Sequence, residues 1–315
     1  MICLVTGASG FVGKALCPAL SMNGLTVRVA LRSVHDCSNE FDSAPVGAID
    51  ATTDWSAALY GVSAVVHLAA RVHVMNDLAG NPLAEFRRIN ASGTLNLARQ
   101  AAAAKVKRFV FISSVKVNGE STQSGCAFTE ADAPNPQDAY GLSKHEAEEG
   151  LRQIAADTGM EVVIVRPPLV YGAGVKANFS ALMRAVQRGW PMPLGAVHNQ
   201  RSLVALDNLV DFIGTCTIHP QAANQTFLVS DGDDLSTTQL IRGMAEAAGV
   251  EARLLPVSVS VLHMVATLLG KADVIDRLCF NLQVDISKAR NLLGWAPLVS
   301  TSEGLQRAMN SRVAL

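Results

Sequence analysis

Residues 2–13 read Ile2-Cys3-Leu4-Val5-Thr6-Gly7-Ala8-Ser9-Gly10-Phe11-Val12-Gly13. A short apolar run is followed by glycines at the spacing G-x-x-G-x-x-G, and then by the helix-like stretch Val12–Met22, which stops at Asn23-Gly24. That order predicts strand, tight turn and helix. Glycine permits the turn, lets the backbone approach a pyrophosphate, and lets the helix lie close on the strand. The helix N-terminus then presents partial positive charge to phosphate. The expectation is a dinucleotide cradle, and the bland alternative is a plain tight turn.

Beyond this turn, short apolar runs alternate with helical patterns. Ile2–Thr6, Thr26–Leu31, Val46–Ile49, Val65–Leu68, Phe109–Ser113 and Val162–Val165 read as strands buried on both faces. Val12–Met22, Ser56–Tyr60, Glu85–Ala103 and Tyr140–Asp157 read as helices between them. The rhythm predicts an α/β fold: a Rossmann-type, doubly wound parallel sheet with right-handed crossovers. After Arg166-Pro167-Pro168 the pattern changes. A glycine-rich stretch, 171–174, precedes a helix over Asn178–Arg188, and residues 231–315 read as mainly helical. We expect residues 1–170 to form the nucleotide domain, with return segments within 203–230 (Leu203–Leu206 and Thr226–Val229). Residues 171–202 and 231–315 are expected to form a smaller, mainly helical substrate domain.

Composition sets bounds. The chain has 315 residues, 49% of them hydrophobic, enough for a large core. A net charge of -1 gives no field that favours nucleic acid or an anionic membrane. The cysteines at 3, 17, 37, 126, 216 and 279 show no C-x-x-C spacing and no cluster with histidine, so no metal site is expected. Their scatter suits a reducing compartment, and a cytoplasmic location is the expectation. Val257–Leu269 is too short and too interrupted to span a bilayer, and is read as a buried amphipathic helix, with membrane-surface contact as the lesser reading.

A second constellation lies far from the first. Tyr140 and Lys144 stand four apart on a predicted helix and share a face. A free phenol ionises near pH 10, and a neighbouring ammonium favours the phenolate. Lys144 is therefore expected to lower the pKa of Tyr140. Ser114 follows the Phe109–Ser113 run, at the carboxyl edge of the sheet where ligands bind. A Y-x-x-x-K pair alone is common on surface helices. Joined to the glycine turn and a strand-end serine, it points to Ser114, Tyr140 and Lys144 as a catalytic set.

The chain resembles the extended short-chain dehydrogenase/reductase superfamily, in particular its nucleotide-sugar epimerases, dehydratases and 4-ketoreductases. The resemblance rests on 6–13, His67-Leu68-Ala69-Ala70, Asn90-Ala91-Ser92-Gly93-Thr94, Phe111-Ile112-Ser113-Ser114, Tyr140-Gly141-Leu142-Ser143-Lys144, 166–172 and Leu293-Gly294-Trp295-Ala296-Pro297, and it spans nearly the whole length. It implies hydride chemistry at a sugar carbon by the Ser/Tyr/Lys set. It implies cofactor contacts at Gly7, Ser9, Gly10, Phe11, Val12, Gly13, Ile49, Leu68, Ala69, Ala70, Tyr140, Lys144 and Pro167. It implies substrate contacts at Ser114, Asn178 and Arg201, with Arg277 the nearest candidate for a later diphosphate arginine and His73 a candidate for the sugar pocket. The bland reading of Arg201 is a surface charge, and of His73 a structural histidine. A homodimer through the helices 85–103 and 140–157 is the family habit. Two departures stand out. Ala48 takes the place of an aspartate that faces adenine in the family, and Lys116 replaces a small polar residue just after the serine.

The end of the second strand, Ala30-Leu31-Arg32-Ser33, carries no carboxylate for a ribose 2′-hydroxyl. Arg32 suits a 2′-phosphate, so NADP(H) is favoured over NAD(H). Single reduction by NADPH fits a ketoreductase better than an epimerase. The stretches 71–75, 175–179 and 194–203 look like bacterial O-antigen-cluster proteins, some described as reductases of UDP-4-keto-6-deoxy-N-acetylhexosamine in surface-polysaccharide (lipopolysaccharide) synthesis. The expectation is therefore the reductase, with UDP-sugar 4-epimerase (on UDP-glucose or UDP-N-acetylglucosamine) as the alternative and a non-catalytic NADP(H) sensor as a third reading. Sensors of this superfamily usually lose the tyrosine or the lysine, and this chain has both.

Overall fold

The computed structural model of the chain describes residues 1–33, 40–72 and 81–310. Strand β1 (Ile2–Thr6) leads through the glycine turn into α1 (Phe11–Met22), then β2 (Thr26–Leu31), β3 (Asp42–Pro45), α2 (Ser56–Leu59) and β4 (Val62–His67). Next come α3 (Pro82–Phe86), a π-helical stretch (Arg87–Gly93), α4 (Thr94–Ala103), β5 (Arg108–Ile112), a 3₁₀ turn (Val115–Val117), α5 (Ala139–Thr158) and β6 (Glu161–Arg166). The later part runs β7 (Leu169–Tyr171), α6 (Ala177–Gln187), β8 (Leu203–Ala205), α7 (Leu206–Ile218) and β9 (Thr226–Leu228). It closes with α8 (Thr237–Ala247), α9 (Val259–Leu268), α10 (Ala272–Cys279), α11 (Ser287–Leu293) and α12 (Thr301–Asn310).

The main sheet has the order β3-β2-β1-β4-β5-β6-β9, and every pair in it is parallel. Alternation along its strands feeds two cores. Cys3, Val5, Val110, Ile112, Val163 and Val165 face α1 and α7, meeting Leu16, Leu20, Leu209 and Phe212. Leu4, Phe109, Phe111, Val162 and Ile164 face the other side, meeting Trp55, Leu97 and Leu151. Burial on both faces explains why these strands are continuously apolar. A third core joins β7 and β8 to α6, α8 and α12 through Tyr171, Phe179, Met183, Leu203, Ile241, Met244 and Leu305. The doubly wound sheet and the mainly helical C-terminal part are as expected.

Several boundaries differ from the sequence reading. The third strand is Asp42–Pro45, not Val46–Ile49. Its last ladder bond is Val46 N–H to Leu31 O, after which Gly47 turns the chain at φ +73°. As an edge strand it needs no apolar run. Thr226–Leu228 joins the main sheet, but Leu203–Ala205 does not. It pairs in parallel with β7, a strand unforeseen because the two prolines before it read as a stop. The helix expected at 85–103 begins at Pro82, where the side chain of Asn81 accepts from Ala84 N–H at 3.1 Å. The segment 257–269 is helical, yet only Leu262 and Ala266 of α9 are buried, and Leu268 is 81% exposed. Among the described residues, no helix is long and apolar enough to cross a membrane.

Candidate active site

The glycine turn is built by close approach. Gly7 has φ +70°, and a Cβ there would lie 2.8 Å from Ala69 N. A Cβ on Gly13 would lie 2.3 Å from Gly7 O, so α1 sits directly on the turn. Gly10 differs. It is exposed, and an added Cβ would touch only Gly7 O, at 3.0 Å, with the rest facing open space. It is also the N-cap of α1, with no side-chain cap bond and no acidic residue in the first turn. The first-turn N–H groups, on Phe11 and Val12 among others, are thus left for an outside acceptor. Exposed Ser9 flanks them. These residues fit a dinucleotide pyrophosphate.

The loop after β4 lines the same turn. Leu68 N–H and Ala69 N–H donate to the backbone oxygen and Oγ1 of Thr6 at 3.3 and 3.2 Å. Asn90, inside the π-helical stretch, clasps this loop. Its Oδ1 accepts from Arg71 N–H at 2.7 Å, and its Nδ2 donates to Arg71 O and to Ser143 Oγ, both at 3.0 Å. One buried amide therefore ties the loop after β4 to α5. π-helical turns gather at functional sites, and this one sets Asn90 facing both neighbours. The side of Ile49 packs against Gly93, where a Cβ would lie 2.9 Å from Cγ2. Ala70 is half-buried beside the loop, and Pro167 is buried, its carbonyl accepting from Val115 N–H at 3.0 Å.

Ser114 ends the strand β5 region and caps the 3₁₀ turn, its Oγ accepting from Lys116 N–H at 3.2 Å. Its neighbour is already spent, since Ser113 Oγ donates to buried Glu148 Oε1 at 2.6 Å. Of the two serines, Ser114 is the one whose hydroxyl hydrogen has no acceptor among the described residues. Tyr140 stands in the first turn of α5, half-buried, with Phe86 edge-on at 6.1 Å. Lys144 is fully buried, and its Nζ donates to Ile112 O at 2.8 Å and lies 5.9 Å from the Tyr140 ring centre.

The electrostatics correct one expectation. Tyr140 is not lowered. Burial, and then the nearby charge of Asp138, push its phenol up to about 12. Lys144 is instead brought down to about 7 by burial, against the pull of Glu148. The physical reason is desolvation of both groups: an ammonium that is itself costly to charge gives the phenolate little support. Beneath them, Arg166 donates to Glu148 through Nε at 2.9 Å and to Asn118 through Nη1 at 3.0 Å.

Other expected residues fall as follows. Arg32 is exposed past the end of β2 and, among the described residues, forms no ion pair, whereas Arg28 is committed to Asp42 at 2.6 Å and to Ala58 O and Tyr60 O. Ala48 is exposed, and Asp50 is occupied by Thr52 and Arg88. Asn178 is exposed at the start of α6. Arg201 donates to Phe280 O at 3.0 Å, and Asn199 donates to Leu278 O and Phe280 O, so both hold the chain just past Arg277, which is exposed on α10. His73 lies outside the described residues. Among the described residues no cluster of His, Cys, Asp or Glu could hold a metal ion. Sequence reasoning passed over Glu148, and it read Asn90 and Asn199 only as parts of motifs, without a role. Glu148 had a signal, one turn beyond Lys144 on the same face of α5, whereas Asn199 had none.

Comparison with known proteins follows this geometry. Residues 3–229 match the NAD dependent epimerase/dehydratase family. The chain is 48% identical to a UDP-glucose 4-epimerase of Vibrio cholerae, covering 96% of this chain and 93% of that one. Its fold is similar to that of UDP-glucuronic acid 4-epimerase from Bacillus cereus in complex with NAD, with a TM-score of 0.79 at 22% identity, covering 99% and 98% of the two chains. It is similar in the same way to UDP-N-acetylglucosamine 4-epimerase from Bacillus cereus, with a TM-score of 0.80 at 20% identity, covering 100% and 97%. The chain belongs to the NAD dependent epimerase/dehydratase family, within the extended short-chain dehydrogenases/reductases.

Proposed function

We propose that this protein oxidises and reduces C4 of a UDP-linked hexose with NAD(P), and that the net reaction is 4-epimerisation. The relative in Vibrio cholerae, 48% identical along nearly the whole chain and named UDP-glucose 4-epimerase, carries the choice of epimerisation. The cofactor, when bound, supplies the acceptor and donor of hydride. Gly7, Gly10, Gly13 and the first turn of α1 would hold its pyrophosphate, and Leu68–Ala70 its ribose.

The chain's own residues handle the proton. Ser114 Oγ–H is free to bond the C4 oxygen. In its ionised form, charge-balanced by Lys144, Tyr140 takes the hydroxyl proton as C4 is oxidised, and the phenol so formed returns that proton as the ketone is reduced. The protonated phenol, held up to about 12, is ready for the second step. Lys144, brought down to about 7, regains full charge when a phenolate forms beside it, so the two titrate as a pair. Asn178, Arg201 and Arg277 are the side chains we assign to the substrate diphosphate, and a dimer through α4 and α5 belongs to the same reading.

A second reading keeps one specific observation. Exposed Arg32 at the end of β2, with no carboxylate beside it in sequence, favours NADP(H) and hence single reduction of a 4-keto-6-deoxy sugar. The test supplies UDP-glucose and UDP-N-acetylglucosamine with NAD+, and separately UDP-4-keto-6-deoxy-N-acetylglucosamine with NADPH. Interconversion with the galacto epimer supports the epimerase. Stoichiometric NADPH oxidation without interconversion overturns it in favour of the reductase. Tyr140→Phe is expected to lose roughly 10²–10⁴-fold in turnover while still binding nucleotide.

A further inference from the structure

Lys116 was marked by sequence as a departure from the family pattern, and the mechanism above makes no use of it. In the structure it touches both elements that carry the chemistry. Its N–H donates to Ser114 Oγ at 3.2 Å. Its carbonyl lies so close to α5 that a Cβ on Gly141, the residue after Tyr140, would be 2.9 Å away. Its ammonium donates to Asp138 Oδ2 at 2.5 Å and to Glu120 Oε1 at 2.9 Å. Asp138 is the N-cap of α5, its other oxygen accepting from Gly141 N–H at 2.6 Å.

We propose that Lys116 is a positioning residue that locks the Ser114 turn to the Tyr140 helix and neutralises the capping carboxylate two residues before the phenol. The inference rests on the reading in which Ser114 and Tyr140 act at C4. A capping carboxylate is good for a helix N-terminus and bad for a phenolate next to it. An aspartate cap without a counter-ion would raise the cost of ionising Tyr140. Lys116 offsets part of that cost from outside α5. Burial works against its charge, but bonds from Asp138 and Glu120 outweigh burial and keep it protonated.

Among the described residues, the other charges around Tyr140 are Lys144 on the next turn and Arg71, whose guanidinium lies 5.6 Å from the centre of the Phe86 ring that packs on the phenol. Arg87 and Glu146, from the π-helical stretch and α5, are paired with each other. Asp138 is the acidic group that acts directly on Tyr140, and Lys116 is the cation bound to it.

The test is a cycle with opposed signs. The protein has three tyrosines, so [13Cζ]-tyrosine NMR of the full chain resolves the ionisation of Tyr140, assigned with Tyr140→Phe. Asp138→Asn keeps a capping side chain and removes the charge, and its Tyr140 midpoint is expected about one pH unit below wild type. Lys116→Met is expected to shift it the other way, Lys116→Arg to leave it near wild type, and Lys116→Met/Asp138→Asn to return it. The same order is expected in the pH profile of kcat/KM with saturating cofactor. An unmoved midpoint in Asp138→Asn, or no difference between that variant and the double variant, overturns the proposal. Should Lys116→Met fail to fold, the comparison of Asp138→Asn with Lys116→Gln/Asp138→Asn still decides, since only the first retains the cation that must keep the midpoint low. Full turnover in Tyr140→Phe would instead overturn the catalytic reading and leave the NMR result standing.

Discussion

His67 is held neutral by a chain of hydrogen bonds with one direction. Thr94 Oγ1 gives its proton to Asn90 O at 2.7 Å, so at 3.0 Å it accepts from His67 Nε2–H. Thr6 Oγ1 accepts from Ala69 N–H and therefore donates to His67 Nδ1, at 2.7 Å. A proton on Nδ1 would break that chain in a site with no water access. Burial, with Lys144 adding repulsion, brings the imidazole down to about 3. Because the folded value is depressed, the unfolded chain binds the extra proton first, and stability is lost as pH falls from 6.5 toward 3. Between pH 7 and pH 5 the loss at this residue is about 2 kcal/mol. Urea denaturation at the two pH values should show it, and His67→Gln should flatten that part of the dependence. The glycines make a second contrast at this scale. Gly10→Ala meets only one carbonyl and suits the backbone there (φ -77°), so it should cost under about 1 kcal/mol yet abolish the thermal shift produced by NAD+. Gly13→Ala drives a Cβ into backbone and should lower Tm in the absence of any cofactor.

The helix α5 shows why an element can be read from sequence while its chemistry is not. Its extent, the shared face of Tyr140 and Lys144, and the stop at Gly159 were all legible, because periodicity and an αL glycine are local properties. The direction of the two pKa shifts was not, because it depends on how much water the third dimension removes. Edge strand β3 was missed for the opposite reason: Asp42-Ser43-Ala44-Pro45 has no buried face to mark it. What holds α5 in place is also non-local. Glu148 is fully buried and bonds Arg166 on β6, Ser113 beside Ser114, and Arg152. Glu148→Gln would leave the Arg166 guanidinium without its counter-charge, at a cost of about 3–5 kcal/mol. Thermal unfolding should register that loss. Residual activity, measured at a temperature where the variant is folded, should fall as well, since Ser113 and Lys144 both lean on the same carboxylate region.

At the scale of the molecule, the N-terminus of α1 follows the carboxyl end of β1, whose neighbours lead to the two halves of the sheet, β2-β3 on one side and β4-β5-β6-β9 on the other. That is the switch point at which open parallel sheets bind ligands, and on the proposed reading the adenosine end of a dinucleotide would lie toward β2 and the reactive end toward β5. On that reading cofactor choice belongs to the β2 edge, three strands from β5 and the Ser114–Lys144 cluster, so the two should be separately alterable. Arg28 on β2 is already tied to Asp42, so among the described residues Arg32 is the cation at that edge we propose for a 2′-phosphate. A charge-assisted bond of this kind contributes about 1.5–3 kcal/mol, or roughly 10–150-fold in binding. Arg32→Asp should lower the preference for NADP(H) over NAD(H) by that factor or more, because the carboxylate repels the phosphate and accepts from a ribose hydroxyl. Isothermal titration with NADP+ and NAD+ measures the ratio directly, with no sugar present. The same variant should keep the wild-type pH profile at saturating cofactor. An unchanged ratio would assign the 2′ position to other residues and remove the observation that favours the reductase over the epimerase.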